Sequence, residues 1–386
     1  LKQCHSFVAN PDSNYMDDIF AQKLKAFSNP AFSSEDQKKL CTYHHKLILT
    51  EVIPAYQELA DSLESLRGTG KSSRGLAFFE GGREYYLYLL QSQTGTYVPV
   101  GQIEKRLSAQ LLSDYREISS LLKQNSSLID RLNQCSGELT LTPTQMLEKL
   151  PELMKKDFPE LKDATYELRT VHPSMKKFLS PAFYLTPPVD TRTPNVIYIN
   201  DSGRTSSLEL FGTLAHEGFP GHLYQTVSFA ENNPSDIRYL VTSPGYVEGW
   251  ATYVESYGYE YAASLMNDPD SAKNAVRLAW LNRSMNLCIY SLIDIGIHYR
   301  GWNAARTAVF LKAFGINNAS TAAEIYQYIV ETPGNYLKYY WGYLNFLDLK
   351  TVCQKRLGDD FDLKEFHRRI LDIGPVQFPV LEKYMK

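Results

Sequence analysis

The segment His216-Glu217-Gly218-Phe219-Pro220-Gly221-His222 places two imidazoles and a carboxylate within seven residues. The whole chain holds eight His, so this density, with a Glu directly after the first His, has chemical content. Zinc hydrolases hold their metal with neutral imidazoles and keep a carboxylate base beside the bound water. In the common His-Glu-x-x-His form, a four-residue step puts both His on one face of a helix. Here the step is six residues. On a regular helix six residues turn through about 600°, which leaves the two rings about 120° apart. Such rings could not share an ion on an unbroken helix. Pro220 and Gly221 offer a remedy. Pro removes a backbone donor and clashes with the preceding turn, and Gly takes unusual dihedrals. A bulge or kink there swings His222 back toward His216. The competing reading is a helix that ends at Pro220, with His222 an ordinary residue.

A zinc site of this kind wants a third protein ligand. Glu248-Gly249-Trp250-Ala251-Thr252-Tyr253-Val254-Glu255 begins 26 residues beyond His222. Glu248 precedes apolar residues at helical spacing, so its helix points it inward, where a carboxylate needs a partner and a metal is one. Glu255 lies two turns further along the same face and could hold a ligand His in orientation. The alternative is a solvated face, which suits Glu255 better than Glu248. Asp294 and His298 stand four apart on an otherwise apolar helix. They form either a satisfied buried pair or a His that donates to an oxyanion, oriented by Asp294. Arg277 and Arg283, in the same apolar block, pair with core carboxylates, or one of them holds a substrate carboxylate. Thr332-Pro333-Gly334 leads into the aromatic run Tyr336 to Trp341, where a Tyr hydroxyl could polarise a carbonyl oxygen and most rings pack.

These residues need elements to position them, and the pattern is mainly helical. Helix formers with apolar residues at three- and four-residue spacing fill 15–27, 35–66, 102–123, 145–155 and 161–170. Ser33-Ser34-Glu35-Asp36 and Thr142-Pro143-Thr144 read as helix starts. The β-branched run Val196-Ile197-Tyr198-Ile199-Asn200 is the clearest strand. A helix should begin near Ser206 and carry apolar residues toward His216. Further helices are expected from Gly245 to about Leu265, from Ala272 to Asn303, and through 305–386.

The 386 residues are 44% apolar and 22% charged, enough for one large domain or two lobes with a sizeable core. A net charge of -3, from 40 basic and 43 acidic residues, argues against nucleic acid as a partner. No apolar run is long enough to span a bilayer. The 27 Tyr suit a wet, aromatic binding groove, or reflect compositional bias. The chain begins at Leu1 rather than Met, and its five Cys are scattered without a Cys-x-x-Cys. A processed, exported protein of the cell envelope or exterior is favoured slightly over a cytoplasmic one, and one or two disulfides are an option.

The combination resembles the bacterial domain-of-unknown-function 885 family, which is related to zinc peptidases of the glutamate-ligand type. The matching pieces are ordered along the chain. They are Gly82-Arg83-Glu84-Tyr85-Tyr86, Gln93-Thr94-Gly95-Thr96, Tyr184-Leu185-Thr186-Pro187-Pro188 and Tyr198-Ile199-Asn200. The 216–222 element, Glu248-Gly249-Trp250-Ala251, Asp294 to His298, Pro333-Gly334 to Tyr339, and Phe366-His367 to Gly374 follow. The resemblance spans roughly residues 75–386, and its specific part is the 216–222 element with Glu248-Gly249-Trp250-Ala251. Leu223 stands where many members carry a second His, and Asn335 where many carry Gln.

The resemblance implies a mainly α, two-lobed zinc-peptidase-like fold with a cleft, and a small sheet edge near residues 195–200. On that reading a single catalytic domain has an N-terminal lobe of about 1–175 and a zinc-bearing lobe of about 176–386. It implies one zinc ion held by His216, His222 and Glu248, with Glu217 as general base. His298 or Tyr339 would stabilise the oxyanion, and strand 196–200 would align an extended peptide by edge pairing. The expected activity is hydrolysis of short peptides. The rivals are a peptide- or glycan-binding protein that kept the fold without catalysis, and a closed structural zinc site in another helical hydrolase.

Overall fold

Helix starts written in the sequence are helix starts in the computed structural model, which describes residues 1–27, 33–70, 72–173, 175–241 and 243–386. The Ser33 hydroxyl accepts from Asp36 N while the Asp36 carboxylate accepts from Ser33 N, opening Ser34–Leu47. Thr142 with Gln145 opens Pro143–Leu153 in the same way, and Ser206 with Glu209 opens Ser207–Glu217. Each box satisfies backbone donors that a helix start leaves unpaired.

The chain divides into two compact units, Leu1–Ser73 with His172–Met175, and Arg74–Val171 with Lys176–Lys386. The first holds helices Lys2–Val8, Tyr15–Ala26, Ser34–Leu47 and Ile53–Ser65, with a π turn at Ile48–Val52 inside the expected 35–66 run. Within it, His44 and His45 each place Nδ1 at 2.8 Å from a different oxygen of Asp17. The second unit holds every candidate site residue.

A three-stranded sheet lies in the second unit. β1 is Glu167–Thr170, β2 is Ala182–Leu185 and β3 is Val196–Ile199, in the order β1-β3-β2. β1 runs parallel to β3 and β2 antiparallel. Two expectations are corrected here. Residues 161–170 do not form a helix: their last four are β1. Ala164, Tyr166 and Leu168 also alternate, and pairing with β3 favours that period of two. The run 196–199 is not an edge. Val196, Ile197 and Ile199 are buried and both flanks of β3 are paired, so β1 and β2 carry the free edges.

The helix Pro244–Ala263 runs through the core of this unit. Its buried residues surround the helix axis, the mark of a helix enclosed on all sides. It packs against Ser207–Glu217, Pro269–His298 and Asn335–Leu357. Two crossings are close enough to need glycine. A Cβ on Gly249 would stand 2.5 Å from the backbone of Gly342, and one on Gly258 would stand 2.5 Å from Cβ of Ala215. All five Cys are free thiols. Among the described residues no helix is long and apolar enough to cross a membrane.

Candidate metal centre

Helix Ser207–Glu217 ends at the Glu of the motif, and a second helix, His222–Glu231, begins at its second His. The four residues between them are a turn, with a cis peptide between Phe219 and Pro220. The expected kink is therefore a full break, and His222 is nonetheless brought back to His216. Their rings are 4.8 Å apart and nearly perpendicular. Gly221 makes the return possible, because a Cβ there would lie 1.8 Å from the carbonyl oxygen of His216. Trp250 pins the turn by donating from Nε1 to the Pro220 carbonyl at 2.9 Å.

The close crossing at Gly258 and Ala215 lays the Pro244–Ala263 helix along this turn. Glu248 Oε2 then stands 3.3 Å from His222 Nε2 and 3.8 Å from His216 Nε2. One ligand atom from each of His216, His222 and Glu248 lies within 4.8 Å of the others. Ligand atoms at about 2.0–2.2 Å from a tetrahedral zinc stand roughly 3.3–3.6 Å apart, so a small contraction gives three corners of that shell. The donor set also suits zinc.

Behind His216, Glu255 Oε2 lies 3.3 Å from Nδ1. A carboxylate only accepts, so Nδ1 carries the proton and Nε2 is left for a metal. Glu255 Oε1 accepts from Arg283 Nε at 3.0 Å. The expected order of burial is reversed: Glu255 is 4% exposed, and the Glu248 side chain 20%. The pairing with Arg283 and His216 is what makes so deep a carboxylate tenable.

Electrostatically the centre favours a cation. Burial works against charging His216, but the neighbouring carboxylates of Glu248, Glu255 and Glu217 outweigh it and raise its pKa from 6.5 to about 10. Burial likewise pushes Glu248 up, yet the adjacent rings of His216 and His222 hold it below the usual carboxylate range. Without metal, the positive charge at this point is an imidazolium proton, and a metal dication would displace it.

Glu217 is tethered by the backbone: its Oε2 accepts from Tyr184 N, on the outer side of β2, at 2.9 Å. The Tyr339 ring lies 6.4 Å from that of His216, and its hydroxyl is close enough to Glu248 to feel that carboxylate's charge. Burial, together with the negative charge of Glu248, pushes the phenol upward, so it stays a donor. Lys338, one residue earlier, places Nζ 3.6 Å from Glu248 Oε1. Nothing in the sequence pattern marks Lys338 for a role, and the Tyr184 amide is invisible there because backbone groups leave no trace in residue type.

His298 is a correction. Leu76 N donates to its Nδ1 at 3.1 Å, so its Nε2 carries the proton and donates to the Ile329 carbonyl at 2.8 Å. Both nitrogens are committed to backbone, which removes it from the oxyanion role. Asp294 does not orient it either. Its carboxyl is held by the Tyr86 hydroxyl at 2.5 Å and by Gly334 N at 2.8 Å. Arg277 is paired with Glu117.

Fold and site together define a mainly helical protein with a small mixed sheet and a partly buried His-His-Glu cluster suited to a metal. The chain belongs to the family described as "Bacterial protein of unknown function (DUF885)", which matches residues 1–385. The match thus reaches the first unit, beyond the segment where the motifs lie. No curated protein matches the chain. Two solved structures share the fold. One, from Colwellia psychrerythraea and described as a "putative lipoprotein", is 21% identical with a TM-score of 0.83, covering 100% of this chain and 68% of its own. Another, from Shewanella oneidensis, described as a "putative lipoprotein of unknown function", is 17% identical with a TM-score of 0.62, covering 95% of this chain and 69% of its own.

Proposed function

We propose that this protein is a zinc-dependent hydrolase, a metallopeptidase that cleaves short peptides. The observation that carries the reading is the convergence of His216, His222 and Glu248 from three helices, with Glu217 adjacent to the first of them in sequence. The zinc-peptidase-like reading of the fold goes with it, since all the elements involved lie in the second unit. So does a location at the cell envelope, in keeping with the description of the two solved structures as lipoproteins.

Zinc, when bound, supplies Lewis acidity, drawing the pKa of a water toward about 7 and polarising a carbonyl oxygen. Glu217 takes the proton of the attacking water on its carboxylate and delivers it to the departing amine nitrogen. The Tyr184 amide fixes that carboxylate in place. Tyr339 donates to the carbonyl oxygen as negative charge grows on it. Glu255 keeps His216 in the tautomer that offers Nε2. The free edge of β2, rather than β3, presents backbone groups to an extended substrate.

Metal analysis of the purified protein, paired with a peptide-library cleavage assay with and without chelator, tests the reading. The expected result is one zinc per chain and cleavage abolished by chelation. No stoichiometric zinc, with full cleavage in chelator, would overturn it.

A further inference from the structure

We infer that Lys338 anchors a carboxylate of the substrate, either its free C-terminus or an acidic side chain beside the scissile bond. The inference rests on the peptidase reading and names the substrate class for that site.

Glu248 divides its two oxygens between the cluster and a lysine. Oε2 faces His216 and His222, and Oε1 faces Lys338 Nζ at 3.6 Å. Among the described residues Glu248 is the one carboxylate within ion-pair distance of Lys338. The other cation at the centre, Arg283, has a carboxylate of its own in Glu255. The carboxylates of Glu217, Glu248 and Glu255 carry three negative charges against the two positive charges of Lys338 and Arg283. With a metal dication added the balance is one positive charge, and the dication shares the carboxylate that Lys338 faces. The ammonium is then the under-compensated group of the site.

Its placement suits an anchor. The Lys338 side chain is 21% exposed, and Nζ sits 5.0 Å from the centre of the Tyr339 ring. A compact ammonium takes an anion without demanding a fixed orientation, so either a terminal or a side-chain carboxylate fits. In partly buried surroundings such a charge acts strongly on an incoming anion.

Calorimetry on the zinc-loaded Glu217→Gln protein tests this, because it reads binding rather than turnover. Three peptides of one length are compared: a neutral C-terminal amide, the same peptide as a free acid, and the amide with Glu beside the expected cleavage point. At least one carboxylate peptide should bind about tenfold or more tightly than the neutral amide. Which one does so identifies the source of the anion. Adding Lys338→Met should bring that ratio close to one, and Lys338→Arg should restore most of it. Equal binding of all three peptides, or a preference that survives Lys338→Met, overturns the inference. If the unmodified enzyme still cleaves the neutral amide, the peptidase reading stands in that case. Cleavage of no peptide by the unmodified enzyme brings down the peptidase reading, and this inference with it.

Discussion

Glu255 stands directly behind His216, with Oε2 at 3.3 Å from the ring Nδ1 and Oε1 held by Arg283 Nε at 3.0 Å. This relay fixes the tautomer of a ligand candidate from a residue that would never touch the metal. Glu255→Gln keeps the shape and weakens the orientation. Zinc affinity, measured by competition with a chromogenic chelator, should fall about 10- to 100-fold. An unchanged affinity would show that His216 needs no such support.

Glu217 separates metal binding from turnover. Its carboxylate is anchored on Tyr184 N, not on the ligand cluster, so Glu217→Gln should keep one zinc per chain. Peptide turnover should fall by about 10²- to 10⁴-fold, the usual contribution of a positioned acid–base group. Turnover retained at the wild-type rate would take Glu217 out of the role of base.

Gly221 sits where a methyl group has no room: its Cβ would meet backbone oxygens of His216 and Ala215 at 1.8 and 2.4 Å. Gly221→Ala should lower stability by more than about 2 kcal/mol and reduce zinc content, read by thermal melts and metal analysis. Gly101, whose Cβ would meet nothing within 4 Å, is the control. Gly101→Ala should leave the melt unchanged or slightly raised.

Asp294 makes stability depend on pH. Burial raises its pKa from 3.8 to about 7, against the lowering effect of hydrogen bonds from Tyr86 and Gly334. The folded protein thus holds this proton more tightly than the unfolded chain does. The stabilisation is fully present below about pH 4 and is lost as pH rises through about 7, a difference on the order of 4 kcal/mol. Urea midpoints from about pH 4 to 8 should show this decline in the wild type and a flatter profile in Asp294→Asn. Identical slopes would mean that Asp294 ionises normally in the fold.

Much of this molecule can be read along the chain, and the limits have physical causes. Capping residues announce themselves because the bonds they make are local, so Ser33, Thr142 and Ser206 were legible. Val196–Ile199 was legible as a strand from side-chain shape, whereas its central place in the sheet depends on two partners remote in sequence. Leu161, Ala164 and Leu168 fit a helical period, and the alternation that placed 167–170 in the sheet pays off only against β3. At the site, His216 and Glu217 stand out by adjacency. Glu255 looked the more solvated of the two glutamates because Arg283, which makes its burial tenable, lies 28 residues further on. His298 invited a catalytic reading through its spacing from Asp294, while its true partners are backbone groups of Leu76 and Ile329.

The break between the two motif helices bears on the field at the centre. An intact zinc helix would hold both His on its flank, away from either end. Here His216 lies in the last turn of one helix and His222 is the first residue of the next. The partial negative charge of a carboxyl-terminal end and the partial positive charge of an amino-terminal end therefore meet at one place and largely offset each other. Backbone dipoles contribute little net potential there. The sign of the centre is left to a few side chains, which makes it unusually open to revision by single substitutions.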